Sequence, residues 1–206
     1  MIRAMYPAAI VLSCAVAPIG AWAAWAGPGV DEASIPSQVR PFIPPGAIVV
    51  ALEQADLSLR GMDDVLLILE TANGEAADAG QGTRSLRLLL RQPDGSLRLA
   101  KTSDTAVMCR TCGGVMGDPL QRVEVGPGRF TIGHYGGSTL RWTATYSFGY
   151  SRRDQTWQLV KVESASFRST EPERSMRVRT YRPPRDFGKI DIADFDPDRF
   201  LGVGAK

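Results

Sequence analysis

Hydrophobic and polar positions alternate with a period of two along much of this chain. The clearest stretch is 140–150. There Leu140, Trp142, Ala144, Tyr146, Phe148 and Tyr150 share one phase, and Arg141, Thr143, Thr145 and Ser147 share the other. Successive side chains of a strand point to opposite faces, so this stretch predicts a strand with one aromatic and one polar face. Its β-branched and aromatic residues suit a pleated surface. Just upstream, Val123 alternates with Val125, and Phe130, Ile132 and His134 share a phase, with Gly126-Pro127-Gly128 as a turn signal between the two runs. Gly136 and Gly137 then interrupt the alternation. The pattern predicts a three-stranded meander whose second turn is the YGGS segment, residues 135–138.

The same periodicity recurs on both sides of this meander. Residues 47–52 and 65–70 are short apolar runs that read as strands. Leu86, Leu88 and Leu90 alternate with Arg87 and Arg91, Pro93-Asp94-Gly95 makes a tight turn, and residues 97–101 return as the second arm of a hairpin. Residues 156–164, with Trp157 and Leu159, and residues 176–182 complete the set. Helical periodicity is scarce and no internal repeat emerges. The expected fold is mainly β: a single-domain antiparallel sandwich or open barrel of about eight to ten strands with little helix, over residues 46–201. Residues 24–45, rich in Pro, Ser and Gly, read as a flexible lead-in.

The first 23 residues change the picture. Arg3 gives a positive start, 8–16 form a short apolar run, and Ala21-Trp22-Ala23 fits a small-x-small cleavage site, so 1–23 reads as a secretory signal peptide. The run is too short to span a bilayer. The alternative is a lipoprotein signal ending at Cys14. Either reading places the protein in the periplasm or outside the cell, without a transmembrane segment in the mature chain. A formal net charge of +2 gives no electrostatic argument for nucleic acid as a partner.

Export bears on the cysteines. Cys109 and Cys112 form a CxxC in a loop at 102–120. An oxidising compartment favours a local disulfide. Redox work would need a cysteine at a helix N-terminus, and zinc would need further ligands, of which His134 is one candidate. A disulfide closing so short a loop fixes local shape more than global stability.

Asp56, Ser58, Gly61 and Asp64 follow the outline of a calcium loop. Arg60 stands where a carboxylate belongs, and Leu67 where a bidentate Glu would close the site. The charges favour a metal-free turn in which Arg60 pairs with Asp56 or Asp64, so no cofactor is expected and calcium binding is disfavoured. His134 and Ser138 lie four residues apart, but no G-x-S-x-G elbow accompanies them. Ser138 reads as a turn residue and His134 as a partly buried side chain. Arg168, Arg174, Arg177, Arg179, Arg182 and Arg185, followed by Asp191, Asp194, Asp196 and Asp198, read as solvated edges that discourage aggregation.

Several segments taken in order carry a resemblance: FIPPG at 42–46, the 56–64 loop, VLLILE, LLLRQPDGSLRLA, CRTCGGVMGDP, HYGGSTLRW and RDFGKIDIADFD. Over roughly 41–196 the chain resembles a widespread group of exported bacterial proteins of unknown function, whose members carry a fuller DLNxDG loop. It is also remotely similar to periplasmic β proteins that inhibit lysozyme-like enzymes, including immunity proteins against peptidoglycan hydrolases. That resemblance implies a glycine-serine loop that enters an enzyme cleft, with Ser138 at the matching position. The expected binding residues are Tyr135, Gly136, Gly137, Ser138 and Arg141, in a non-enzymatic module whose partner is another envelope protein. The alternative is an envelope redox protein or enzyme using Cys109, Cys112 and His134.

Overall fold

The computed structural model describes residues 29–71 and 82–200. Residues 1–23, read above as a signal peptide, with Cys14, and residue 201 lie outside the described residues. The described residues form nine strands in order: β1 (Ile48–Ala55), β2 (Asp64–Thr71), β3 (Thr83–Arg91), β4 (Leu97–Ser103), β5 (Leu120–Gly126), β6 (Arg129–Gly137), β7 (Leu140–Ser151), β8 (Thr156–Arg168) and β9 (Arg177–Tyr181). The only α-helix among the described residues is the single turn Pro172–Ser175, and the remaining helical pieces are short 3-10 turns.

Two antiparallel meanders form the two layers of a sandwich: a smaller sheet ordered β1-β2-β3-β4 and a larger one ordered β5-β6-β7-β8-β9. Leu66, Ile68, Leu86 and Leu88 of the smaller sheet meet Phe130, Ile132, Tyr146 and Phe148 of the larger one. The alternation in 140–150 behaves as expected: Ala144, Tyr146 and Phe148 are buried, and Trp142 and Tyr150 pack on the rim of the core. Phe130 stacks on Phe148 at 4.9 Å between ring centroids. At one edge the sheets are joined where Trp157 Nε1 donates to Leu57 O (2.8 Å) and Gly128 N to Asp56 O (2.9 Å).

The expectation of a flexible lead-in needs correction over 29–45. This segment forms 3-10 turns at Glu32–Ser34 and Arg40–Phe42 and lies against the outer face of the smaller sheet. Ile35 and Val39, four residues apart, are buried there with Val49, Val65, Leu67, Leu69 and Leu89. The smaller sheet is therefore covered on both faces, which is why β2 is an unbroken apolar run rather than an alternating one.

Beside β4 and β8 the segment 187–200 closes the sandwich. Ile192 and Phe195 are fully buried, with Phe195 against Tyr146 and Phe148. Asp191 ties this segment to both layers: Lys101 Nζ lies 3.3 Å from its carboxylate, and Thr156 Oγ1 donates to it at 2.6 Å.

Candidate functional site

The expected binding residues lie at one end of the larger sheet, but YGGS as a whole is not a turn. Tyr135, Gly136 and Gly137 are the last residues of β6, paired with Thr143, Trp142 and Arg141 of β7. Only Ser138 and Thr139 turn the chain, with Ser138 N donating to Leu140 O at 3.0 Å. Gly136 is required by its packing neighbours, and Gly137 by the turn that follows it. A Cβ on Gly136 would stand 2.6 Å from the Trp142 ring and 2.9 Å from Gly113 O. Gly137 has φ +107°, and a Cβ there would run into the Leu140 carbonyl.

The neighbour is the cysteine loop. Cys109 and Cys112 are joined by a disulfide, Cα to Cα 5.1 Å, and Cys112 N donates to Cys109 O at 3.1 Å. The chain then passes through Gly113 and a 3-10 turn at Gly114–Met116. Gly137 N donates to Gly113 O at 2.9 Å, and the Cβ position of Gly114 is 3.3 Å from Gly137 O. The glycine pair after the CxxC thus packs on the glycine pair of YGGS. Around this contact Val115, Met116, Ser138 and Leu140 are exposed, Val115 by 75% and Leu140 by 52%. Strand parity puts Tyr135 on the outer face of the sheet, on the same side as Arg141 and opposite to Phe130, Ile132 and His134. Arg141 Nη1 is buried and without a hydrogen-bond partner among the described residues. Trp142 is on the inner side, against the core.

Beneath the loop lies a charged cluster in the inner layer. Arg84 is 2% exposed. Its Nε donates to Glu70 Oε2 (2.9 Å), and Nη1 and Nη2 hold Asp118 Oδ1 (2.7 Å) and Oδ2 (2.6 Å). Nη1 also reaches Met108 O at 3.4 Å, so one guanidinium ties both ends of the cysteine loop to β3. Burial works against this charge, but the hydrogen bonds and charges of Asp118 and Glu70 outweigh it and hold Arg84 above its ordinary range. The available signal was phase: Arg84 and Glu70 stand on the same phase as the inward Leu86 and Ile68.

His134 is also inward and fully buried, edge-on to Tyr146 at 5.8 Å, and neither ring nitrogen has a hydrogen-bond partner among the described residues. Burial, then the charge of Arg84, pushes its pKa down to about 3 against a smaller opposing pull from Asp118. The unfolded imidazole titrates near its ordinary value, so between pH 6.5 and 3 the unfolded chain holds the extra proton and stability falls as the pH drops. From pH 7.5 to 5 the loss attributable to His134 should be about 2 kcal/mol, measured by urea unfolding. His134→Leu should flatten the profile over that interval; an unchanged slope would assign it to other groups.

The 56–64 loop has the outline expected of a calcium loop, with its donors already engaged. Asp56 accepts from Arg60 N and Gly61 N, each at 2.8 Å. The fully buried Asp64 accepts from Ser58 N (3.0 Å), Ser58 Oγ and Arg91 N (2.9 Å). Arg60 puts its guanidinium into the middle, with Nε on Ser58 Oγ at 2.8 Å and Nη2 on Asp64 Oδ1 at 3.0 Å. The side-chain oxygens of Asp56, Ser58 and Asp64 are therefore already engaged in hydrogen bonds within the protein. Thermal melts in chelator and in millimolar calcium should agree within about 1 °C, since a ligand of the native state must raise the midpoint. A rise of several degrees would show that Arg60 yields its place.

Comparison with protein-family models, curated proteins and solved structures finds no match. No helix among the described residues is long and apolar enough to cross a membrane.

Proposed function

We propose that the protein is a non-enzymatic binding module of the periplasm or cell exterior that grips another envelope protein through the β6–β7 rim. An inhibitor or immunity-type role toward an envelope enzyme is the form this takes under the resemblance given above. The observation that carries the reading is the locking of two glycine pairs against each other. A rim held by the Gly137–Gly113 hydrogen bond loses little conformational freedom on docking, and preorganisation of this kind favours affinity. Ser138 and Leu140 project from it, with Tyr135 and Arg141 on the adjoining outer face. Tyr and Arg are enriched among residues that dominate interface energetics.

Affinity capture from a bacterial envelope extract, with wild type and Tyr135→Ala side by side, tests this. Tyr135 is half-exposed, so the variant should melt within a few degrees of wild type and bind the captured protein at least about tenfold more weakly. Equal binding by both folded proteins would move the interface elsewhere, with the arginine-rich β9 next in line.

The exposure of Cys112 favours a second reading, an envelope redox protein. Against it, neither cysteine starts an α-helix, and His134 is sealed in the core. Insulin-disulfide reduction assays should be flat; sustained turnover would install the redox reading.

A further inference from the structure

Strand β5 begins at Leu120, so it runs beside β6 only as far as His134. Beyond that point the amides that β6 directs to this side are met by the cysteine loop. Tyr135 N donates to Pro119 O at 2.8 Å, and Gly137 N to Gly113 O at 2.9 Å. The two acceptors are secured differently. Pro119 follows Asp118, which Arg84 grips with two hydrogen bonds. Gly113 follows Cys112 directly, and its place depends on the disulfide, the Cys112–Cys109 backbone turn and the hydrogen bond from Gly113 N to Gly117 O (2.9 Å). One rim amide thus answers to a salt bridge and the other to a sulfur–sulfur bond.

The two sulfurs are not equivalent. Cys112 is exposed and Cys109 half-buried, and Cys109 Sγ lies 3.6 Å from Thr111 Oγ1. Attack at Cys112 is open to an incoming thiolate, and the sulfur expelled is the one beside a hydroxyl able to donate to it.

We propose that the Cys109–Cys112 disulfide is a thiol–disulfide exchange site that takes a dithiol reductant, and that its state controls the rim by holding or releasing Gly113. The site is regulatory rather than catalytic, and its meaning for binding rests on the reading of the rim as the interface. A dithiol attacks Cys112 Sγ through one thiolate. The S–S bond breaks, and its electron pair leaves on Cys109, which Thr111 stabilises and which takes a proton from solvent. The dithiol's second thiolate then attacks the mixed disulfide, departs as a closed disulfide and leaves Cys112 as a thiol. Two electrons and two protons pass to the protein. The loop keeps its ends, because Arg84 still holds Met108 O and Asp118, so reduction releases only residues 109–117.

Amide hydrogen exchange on the full chain, oxidised and then reduced with dithiothreitol, tests the coupling without any partner. Gly137 should exchange at least about tenfold faster after reduction, with Tyr135 and Ile132 unchanged and the melting temperature moved by no more than a few degrees. The Cys109→Ser/Cys112→Ser variant should show the same selective loss without reductant. Limited alkylation of the reduced protein should label Cys112 before Cys109. An unchanged Gly137 rate in both reduced protein and variant overturns the coupling, as does uniform acceleration along β6. Faster labelling of Cys109 overturns the direction of attack. If Gly137 accelerates but no partner is captured, the coupling stands and the binding reading falls. If a partner binds both redox forms equally, control of binding falls and the interface stands.

Discussion

Arg84→Met is expected to lower stability by about 3–5 kcal/mol, the range for removing one partner of a buried ion pair. The loss arises because Glu70, 9% exposed, is left among the described residues with Arg110 at 3.9 Å, while Asp118 loses both of its guanidinium contacts. Methionine fills similar volume, so a cavity adds little to the effect. For a domain of this size the melting temperature should fall by about 10 °C. Pairing the change with Glu70→Gln should recover part of the loss, since the stranded charge is then gone. A loss below about 1 kcal/mol in urea unfolding would mean that water reaches the cluster and solvates Glu70.

Gly137→Val is expected to cost about 2–4 kcal/mol, combining a β-branched residue at φ +107° with the encounter between its Cβ and the Leu140 carbonyl. Gly46→Ala separates the two contributions. Gly46 also has positive φ (+77°), but nothing lies within 4 Å of its Cβ position, so it should lose only about 1 kcal/mol. If both variants lose the same amount, the Leu140 carbonyl moves aside freely and the rim is less firmly built than its contacts imply.

What could be read from the chain beforehand was what depends on neighbours close in sequence. The phase of Tyr146 and Phe148, the hairpin at Pro93-Asp94-Gly95 and the inward phase of His134 all survive in the structure. Arg60 also stands among Ser58 and Asp64 as its charge suggested. The turn at YGGS was misplaced because glycine usually ends a strand, whereas Gly136 continues one to admit Trp142 and Gly113, and only Gly137 meets the turn at Leu140. The Gly113 contact comes from 24 residues away along the chain, beyond the reach of any local pattern. The lead-in was misread for a related reason. Its prolines and polar residues hide the four-residue spacing of Ile35 and Val39, which matters only once the smaller sheet offers them an outer face. The pairing of Arg84 with Glu70 across β2 and β3 joins residues 14 apart and needs the strand register to be seen.

The closure of the sandwich by 187–200 also dictates when folding can finish. A nascent chain released only as far as Tyr181 already has all nine strands, yet its layers lack Ile192 and Phe195. Burying those two side chains supplies about 3–6 kcal/mol, comparable with the whole stability of a small domain. Thr105 must wait for Phe195 O, and Lys101 for Asp191, each 90 residues later in the chain. Until then Tyr146 and Phe148 lack the Phe195 ring that packs against both. An elongating polypeptide therefore stays incompletely folded until nearly the last of the described residues has emerged.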